Sequence, residues 1–282
     1  MIHSHSNSFF IFDIVMGTTE RLDRNEHITD MSLFVVMPPT RTHGCRVFAI
    51  PCLYVHKTEE LKTIRYFDID QRKWVSTKKT LPWDRSFAVA RLTDTTFVMC
   101  GYDRDYNTPQ AGCALFDTDT YEVTQLPDMA APRAYFNAIH YRGMVVVVGG
   151  NDDTVDMIKM CEQYTPGAVA WEPMAEIPAR VRRWPDRITR TAVVNDEIYV
   201  LHGRTAPDSF VYDGTTWREI AVGGWYDDIF ECFLFNYKGT PAILRRCGKI
   251  QLLDMEAGVW RQLDDIAEPV YWSMPALGIY TF

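Results

Sequence analysis

The sequence predicts an all-β fold: a ring of six repeated four-strand units, one of them shared between the two ends of the chain. Three observations carry the prediction. Four segments join an apolar run to a small residue and glycine: Phe97-Val98-Met99-Cys100-Gly101, Val146-Val147-Val148-Gly149-Gly150, Tyr199-Val200-Leu201-His202-Gly203 and, with two arginines inside it, Leu244-Arg245-Arg246-Cys247-Gly248. Each is followed by a second run that closes at Phe116-Asp117, Tyr164-Thr165, Tyr212-Asp213 or Leu253-Asp254, with earlier copies at Phe67-Asp68 and Phe12-Asp13. After a short turn comes an aromatic at Trp74, Tyr121, Trp171, Trp217 and Trp260, spaced 47, 50, 46 and 43 residues apart. A period of about 40–50 residues with several short strands per unit is the mark of a β-propeller.

The units are expected in order at 43–86, 87–134, 135–186, 187–228, 229–271, and 272–282 together with 1–42. The last is split because Gly278-Ile279-Tyr280-Thr281-Phe282 repeats Glu197-Ile198-Tyr199-Val200-Leu201, so the C-terminus supplies two strands and the N-terminus the other two. Such sharing would hide the ring's open sheet edges. Residues from about Val15 to Asp30 are expected as a long loop, and Met31 to Val36 as the outer strand of the shared unit. A proline-arginine corner recurs at Met37-Pro38-Pro39-Thr40-Arg41, Pro82-Trp83-Asp84-Arg85, Met129-Ala130-Ala131-Pro132-Arg133 and Pro185-Asp186-Arg187. Each landmark has a physical reason. A strand covered on both faces reads as continuous Val, Ile and Met. Glycine at its end permits close backbone approach and positive φ. A large aromatic in the outer strand seals the contact between units.

These residues resemble the kelch repeat, over essentially the whole chain. The best single unit is Tyr135 to Arg180, with Gly149-Gly150, Tyr164 and Trp171 in the family's order. The other units depart from it: a double glycine ends the second strand in one unit alone, the Tyr position is often Phe or Leu, and the stretch Cys52 to Val55 has no Gly. None of the repeat-position tryptophans, Trp74, Trp171, Trp217 and Trp260, is followed by Asp, which separates the pattern from WD40 repeats; the single Trp-Asp pair, Trp83-Asp84, lies in a proline-arginine corner. The resemblance implies a six-bladed propeller, and it implies roles as a scaffold, a cytoskeletal binder or a substrate receptor of ubiquitin ligases. Blade strands begin by about Phe9, so any ligase link is expected through another chain.

Composition narrows the function. Hydrophobic residues make up 47% and charged residues 23%, and the formal net charge is -8. An acidic chain lacks the electrostatic footprint of a general nucleic-acid binder. The longest apolar runs fall far short of the roughly 20 residues of a membrane helix. Seven cysteines without a CxxC, and no Asn-x-Ser/Thr acceptor, point to reduced thiols in the cytoplasm, with the nucleus an open alternative. No HExxH, GxSxG or P-loop is found, and no cofactor or metal is expected. Cys100, Cys247 and His202 stand where the repeat demands a small residue and read as buried packing residues. The acid pairs Asp152-Asp153, Asp227-Asp228 and Asp264-Asp265 read as turn residues.

The loops after the second strands and the loops leading into the first strands emerge on one face of a four-strand blade. They carry Arg85, Tyr102, Arg104, Arg133, Tyr135, Asn151, Arg183, Trp184, Arg187, Arg204, Trp225 and Tyr226. Trp, Tyr and Arg are the residue types enriched in binding hot spots. The expected function is a non-enzymatic protein-interaction module that takes an acidic or phosphorylated peptide in this arginine and aromatic funnel, because the guanidinium fork matches carboxylate and phosphate. Asp103 and Asp152 are the nearest candidate counter-charges, and pairing of Arg133 inside its own corner is the competing expectation. The alternative is a kelch-type enzyme acting on a sugar or small metabolite at the channel mouth.

Overall fold

The computed structural model describes residues 9–13, 18–22, 33–50, 63–81, 88–101, 110–152, 159–178, 189–202, 208–220, 223, 232–245 and 249–263. Among them there is no helix. The chain is all-β, with five four-stranded antiparallel sheets and one two-stranded sheet. Repeated four-stranded antiparallel sheets of this kind agree with the β-propeller that the repeat pattern predicts.

The first four-stranded sheet runs β3 (Leu33–Met37), β4 (Arg46–Ile50), β5 (Thr63–Asp68) and β6 (Lys73–Thr80). The second is β7 (Ala88–Arg91), β8 (Thr96–Cys100), β9 (Cys113–Asp117) and β10 (Val123–Leu126). The third is β11 (Asn137–Tyr141), β12 (Met144–Val148), β13 (Glu162–Tyr164) and β14 (Glu172–Pro173). The fourth is β15 (Thr189–Val194), β16 (Glu197–His202), β17 (Asp208–Tyr212) and β18 (Trp217–Glu219). The fifth is β19 (Cys232–Tyr237), β20 (Thr240–Arg245), β21 (Ile250–Asp254) and β22 (Val259–Gln262). Each is a plain meander.

Near the N-terminus, β1 (Phe9–Asp13) pairs with β2 (Thr18–Leu22). The long loop expected from Val15 to Asp30 therefore contains a strand. A second correction concerns Met31 to Val36, expected as the outer strand of the shared unit: the strand there, Leu33–Met37, pairs with Arg46–Ile50 and is the first strand of the first four-stranded sheet. That sheet thus begins ten residues ahead of the expected boundary at 43. The misreading has a physical cause. Met37-Pro38-Pro39-Thr40-Arg41 looks like a corner between units but is a hairpin connection, eight residues long (38–45), where the third, fourth and fifth sheets use two-residue turns such as Arg142-Gly143 and Lys238-Gly239.

First strands of consecutive sheets lie against one another, β3 on β7, β7 on β11, β11 on β15 and β15 on β19, so the sheets are arranged about their first strands. Side chains bridge this inner row: His140 meets the Arg91 carbonyl at 3.1 Å, Asn137 donates to the Thr189 carbonyl at 2.6 Å, and Arg190 donates to the Cys232 carbonyl at 2.9 Å. The core is a series of seams between sheets. Val35, Phe48 and Tyr66 meet Phe97 and Phe116 in the first seam, and Val98 and Cys113 meet Val145 and Tyr164 in the second. Val146 and Cys161 meet Ile198 and Phe210 in the third, and Val194 and Val211 meet Ile243 and Leu253 in the fourth.

The second strands carry this packing on both faces. Their interiors are buried almost without interruption from Phe97 to Cys100, Val145 to Val148 and Ile198 to His202, as expected. The outer-strand aromatics close each seam against the preceding sheet. The Trp171 indole N–H donates to the Pro127 carbonyl and that of Trp217 to the Ala175 carbonyl, both at 2.9 Å. Trp171 is buried, whereas Trp217 is only half-buried.

Candidate functional site

The site is built around the double glycine that ends β12. Gly149 and Gly150 have φ of 71° and 95°. A Cβ on Gly149 would stand 2.8 Å from Thr189 Oγ1, and one on Gly150 would stand 2.9 Å from both the Ala134 carbonyl oxygen and Phe136 Cβ. The glycines are therefore required both for their left-handed backbone and for the nearness of the next sheet and of the segment leading into β11.

That lead-in segment is held at three points. Met129 N–H donates to the Ala111 carbonyl at 2.9 Å and Arg133 N–H to the Gln110 carbonyl at 3.1 Å, tying it to the second sheet. Ala134 and Asn151 exchange a pair of backbone hydrogen bonds of 3.0 and 2.9 Å, tying it to the loop after the glycines. The third point is a buried ion pair between Arg133 and Glu162. Arg133 Nη1 donates to the carbonyls of Gly149 at 3.0 Å and Met160 at 2.9 Å, while Nη2 donates to Glu162 Oε1. Glu162 also accepts from the backbone amides of Ala130 at 2.6 Å and Ala131 at 3.4 Å. Charge-assisted bonds of this kind are the strong ones, and here they join three loops.

Three of the expected binding residues, Arg133, Tyr135 and Asn151, fall within the described residues, and the structure brings them to one corner but leaves only Tyr135 exposed. Arg133 has no exposed surface, and its guanidinium is bound inside the corner. This corrects the expectation that it presents charge on an open face: its counter-charge is Glu162, not Asp103 or Asp152. Asn151 is also buried, and its backbone holds the loop. Tyr135 is 58% exposed and has φ of 55°, a conformation that non-glycine residues adopt sparingly. It stands directly between the clamped Ala134 and the buried Phe136. Arg85, Tyr102, Arg104, Arg183, Trp184, Arg187, Arg204, Trp225 and Tyr226 lie outside the described residues.

Glu162 is the residue that reading the sequence missed. A signal exists in Met160-Cys161-Glu162-Gln163-Tyr164, where one carboxylate stands in a run otherwise destined for the interior. Beside it, burial pushes the Cys161 thiol up to about 12, against the lowering influence of Arg133. His202 is fully buried, with Nδ1 3.2 Å from Thr189 Oγ1, and Cys100 is fully buried. Among the described residues no group of three or more His, Cys, Asp or Glu is arranged to hold a metal ion.

No family model matches the chain. Kelch-like protein 41a of Danio rerio is 29% identical to it over 154 residues, which is 51% of this chain and 25% of that protein. Kelch-like protein 41b of Danio rerio and Kelch-like protein 25 of Xenopus tropicalis are each 28% identical over 134 residues, 47% of this chain and 22% of theirs. The matches thus span about a quarter of the length of these relatives. In fold the chain is similar to the solved structure of YjhT, with a TM-score of 0.56 and 10% identity over 77% of this chain and 74% of that one. By sequence over half its length, and by fold over three quarters of it, the chain resembles the kelch-repeat propellers.

Proposed function

We propose that the chain is a protein-interaction module whose partner docks on the face that carries Tyr135. The observation that supports this most is Tyr135 itself, a large aromatic kept in solvent by a strained backbone on a segment locked from both sides. Strain held in place by its surroundings clusters at binding and active sites, and an exposed tyrosine is a hot-spot residue type. Likeness to Kelch-like proteins supports the same reading at the level of class.

The partner segment is proposed to be acidic or phosphorylated and to meet Arg85, Arg104, Arg183, Arg187 and Arg204, with Arg133 now assigned to holding the loop. The ring is proposed to have six blades. The outer faces of the first and fifth sheets support this, because Phe34, Val47 and Phe67 on one and Phe233, Phe235 and Leu244 on the other are buried without a neighbouring four-stranded sheet among the described residues. Strands from both ends of the chain would fill that interval. The cytoplasm is the proposed location, with the nucleus the alternative.

Titration of an acidic peptide library against the wild type, Tyr135→Ala and Arg104→Glu tests the binding reading. Both variants are expected to bind at least tenfold more weakly with unchanged melting temperature, and binding is expected to fall with salt, since exposed charges are screened within about 8–10 Å. Equal binding by Tyr135→Ala would remove the site from this face, and salt-independent binding would remove the acidic ligand.

A further inference from the structure

Cys100 ends β8, Cys113 opens β9, and the two are direct partners in the antiparallel ladder. In the next pair along, Gly101 N–H donates to the Gly112 carbonyl at 2.8 Å. Hydrogen-bonded and open pairs alternate along such a ladder. Cys100 and Cys113 are therefore an open pair, the kind in which side chains are nearest and Cα atoms stand about 4.5 Å apart. Disulfides span Cα separations of about 4.4–6.8 Å. Both residues are fully buried in the seam between the second and third sheets, and both thiols are free. No other two cysteines are ladder partners among the described residues.

We propose that Cys100 and Cys113 form a redox modification site: a dithiol that closes to a cross-strand disulfide at the base of the 101–112 connection. The oxidant is a small-molecule disulfide. One protein thiolate attacks it, forming a mixed disulfide and releasing one small thiolate. The second protein thiolate then attacks the protein sulfur of that mixed disulfide, forming the cross-strand bond and releasing the second small thiolate. Two protein thiols are oxidised, one small disulfide is reduced to two thiols, and the two protons lost by the protein thiols are taken up, through solvent, by the two released small thiolates. Burial, together with the neighbouring Cys113 thiol, pushes the Cys100 thiol well up. Exchange therefore runs through local opening of β8 and β9, which makes the bond slow to form and, once reburied, slow to reduce.

The test uses the full chain, incubated with glutathione disulfide in urea below the unfolding transition, then unfolded and alkylated with iodoacetamide. Two of the seven thiols are expected to escape alkylation. The disulfide itself removes about 2 Da, and a single linked peptide pair should join Cys100 to Cys113. The oxidised protein should unfold at higher denaturant than the reduced one. Cys113→Ala should form no linked peptide pair and lose at most one thiol, Cys100 held as its mixed disulfide with glutathione, under the same treatment. Full alkylation of the wild type, a link between other cysteines, or loss of two thiols in Cys113→Ala would each overturn the proposal. Binding to a partner does not enter this experiment, so its outcome is separate from that of the peptide titration.

Discussion

Two seams of the molecule bury an arginine and satisfy it in different ways. Between the second and third sheets, Arg133 meets a carboxylate as buried as itself, and Glu162 in turn gathers two backbone amides. Between the first and second sheets, Arg46 is 1% exposed, and among the described residues it forms no ion pair with a buried carboxylate. Its Nη1 donates to the Thr118 carbonyl at 2.9 Å and its Nη2 to Thr118 Oγ1 at 3.1 Å. The guanidinium lies 5.4 and 5.5 Å from the ring centroids of Phe48 and Tyr66. Asp119, 3.5 Å away, is 40% exposed. One seam thus rests on a full ion pair and the other on neutral acceptors, aromatic faces and a carboxylate shared with water. The first arrangement should fail abruptly when half of it is removed, because the other half is left charged in the interior; the second should degrade in steps.

The largest expected effect follows from that contrast. Glu162→Ala should destabilise the fold by about 3–5 kcal/mol, the cost of a buried charge left alone, and Arg133→Met should do the same from the other side. The double variant Arg133→Met/Glu162→Leu should recover most of the loss. Arg133→Glu, which sets two carboxylates together, should be worse than either single variant. Urea denaturation measures all four. If Glu162→Ala costs less than 1 kcal/mol, the ion pair is not what holds the corner.

Aromatic seals sharpen the comparison at the next level. Trp171 is buried and closes the Arg133 seam, so Trp171→Ala should cost about 3–5 kcal/mol. Trp217 occupies the same repeat position one sheet later but is half-buried, and its alanine variant should cost roughly half as much, in proportion to the area it removes from water. The repeat pattern alone treats the two as equal, so equal losses would favour the pattern over the burial.

The sheets were legible because their signal is repeated. Continuous apolar second strands, glycines at their ends and outer aromatics recur in register, and each answers to packing that every blade shares. What escaped was local. The hairpin connection 38–45 carries the proline and arginine of a corner, and only pairing of Leu33–Met37 with Arg46–Ile50 shows otherwise. Arg133 was legible as a corner residue, with pairing inside the corner as the competing expectation, but its partner was not, because Glu162 lies 29 residues on and across two strands. Tyr135 was read correctly as belonging to that corner. Its exposure depends on a left-handed φ that tyrosine does not announce.

Arg46→Met is the next smaller test. The substitution removes a buried charge along with its two hydrogen bonds to Thr118, keeps most of the side-chain volume over Phe48 and Tyr66, and strands no carboxylate. A loss of about 1–2 kcal/mol is expected, from the unmet Thr118 carbonyl and the lost cation–π contact. A loss matching that of Glu162→Ala would erase the distinction between the two seams.

The smallest effect is one of pH, and it separates the seams by a different means. Thr118, which receives Arg46, sits in the turn that Asp117 organises: Asp117 Oδ1 accepts from the amides of Asp119 and Thr120, both at 2.8 Å. Partial burial would raise the Asp117 carboxyl, but the two amides, the Thr120 hydroxyl and the Arg46 charge outweigh it and hold the group below the usual carboxylate range. A folded-state value below the unfolded one, about 3.9, means that ionised Asp117 contributes stability above that pH. The contribution fades as pH falls through the folded value. Asp117→Asn retains an acceptor oxygen for the amides but has no proton to take up. Its stability should lie slightly below the wild type at pH 7, and the gap should close on acidification below about pH 4, giving a shallower acid limb. Thr165 stands at the matching position of the third sheet, where the turn closes by Ala168 N–H donating to the Thr165 carbonyl at 3.0 Å, so that turn has no carboxylate to titrate. Parallel acid limbs for wild type and Asp117→Asn would show that the turn beside Arg46 is held by its backbone alone, as the turn at Thr165 is.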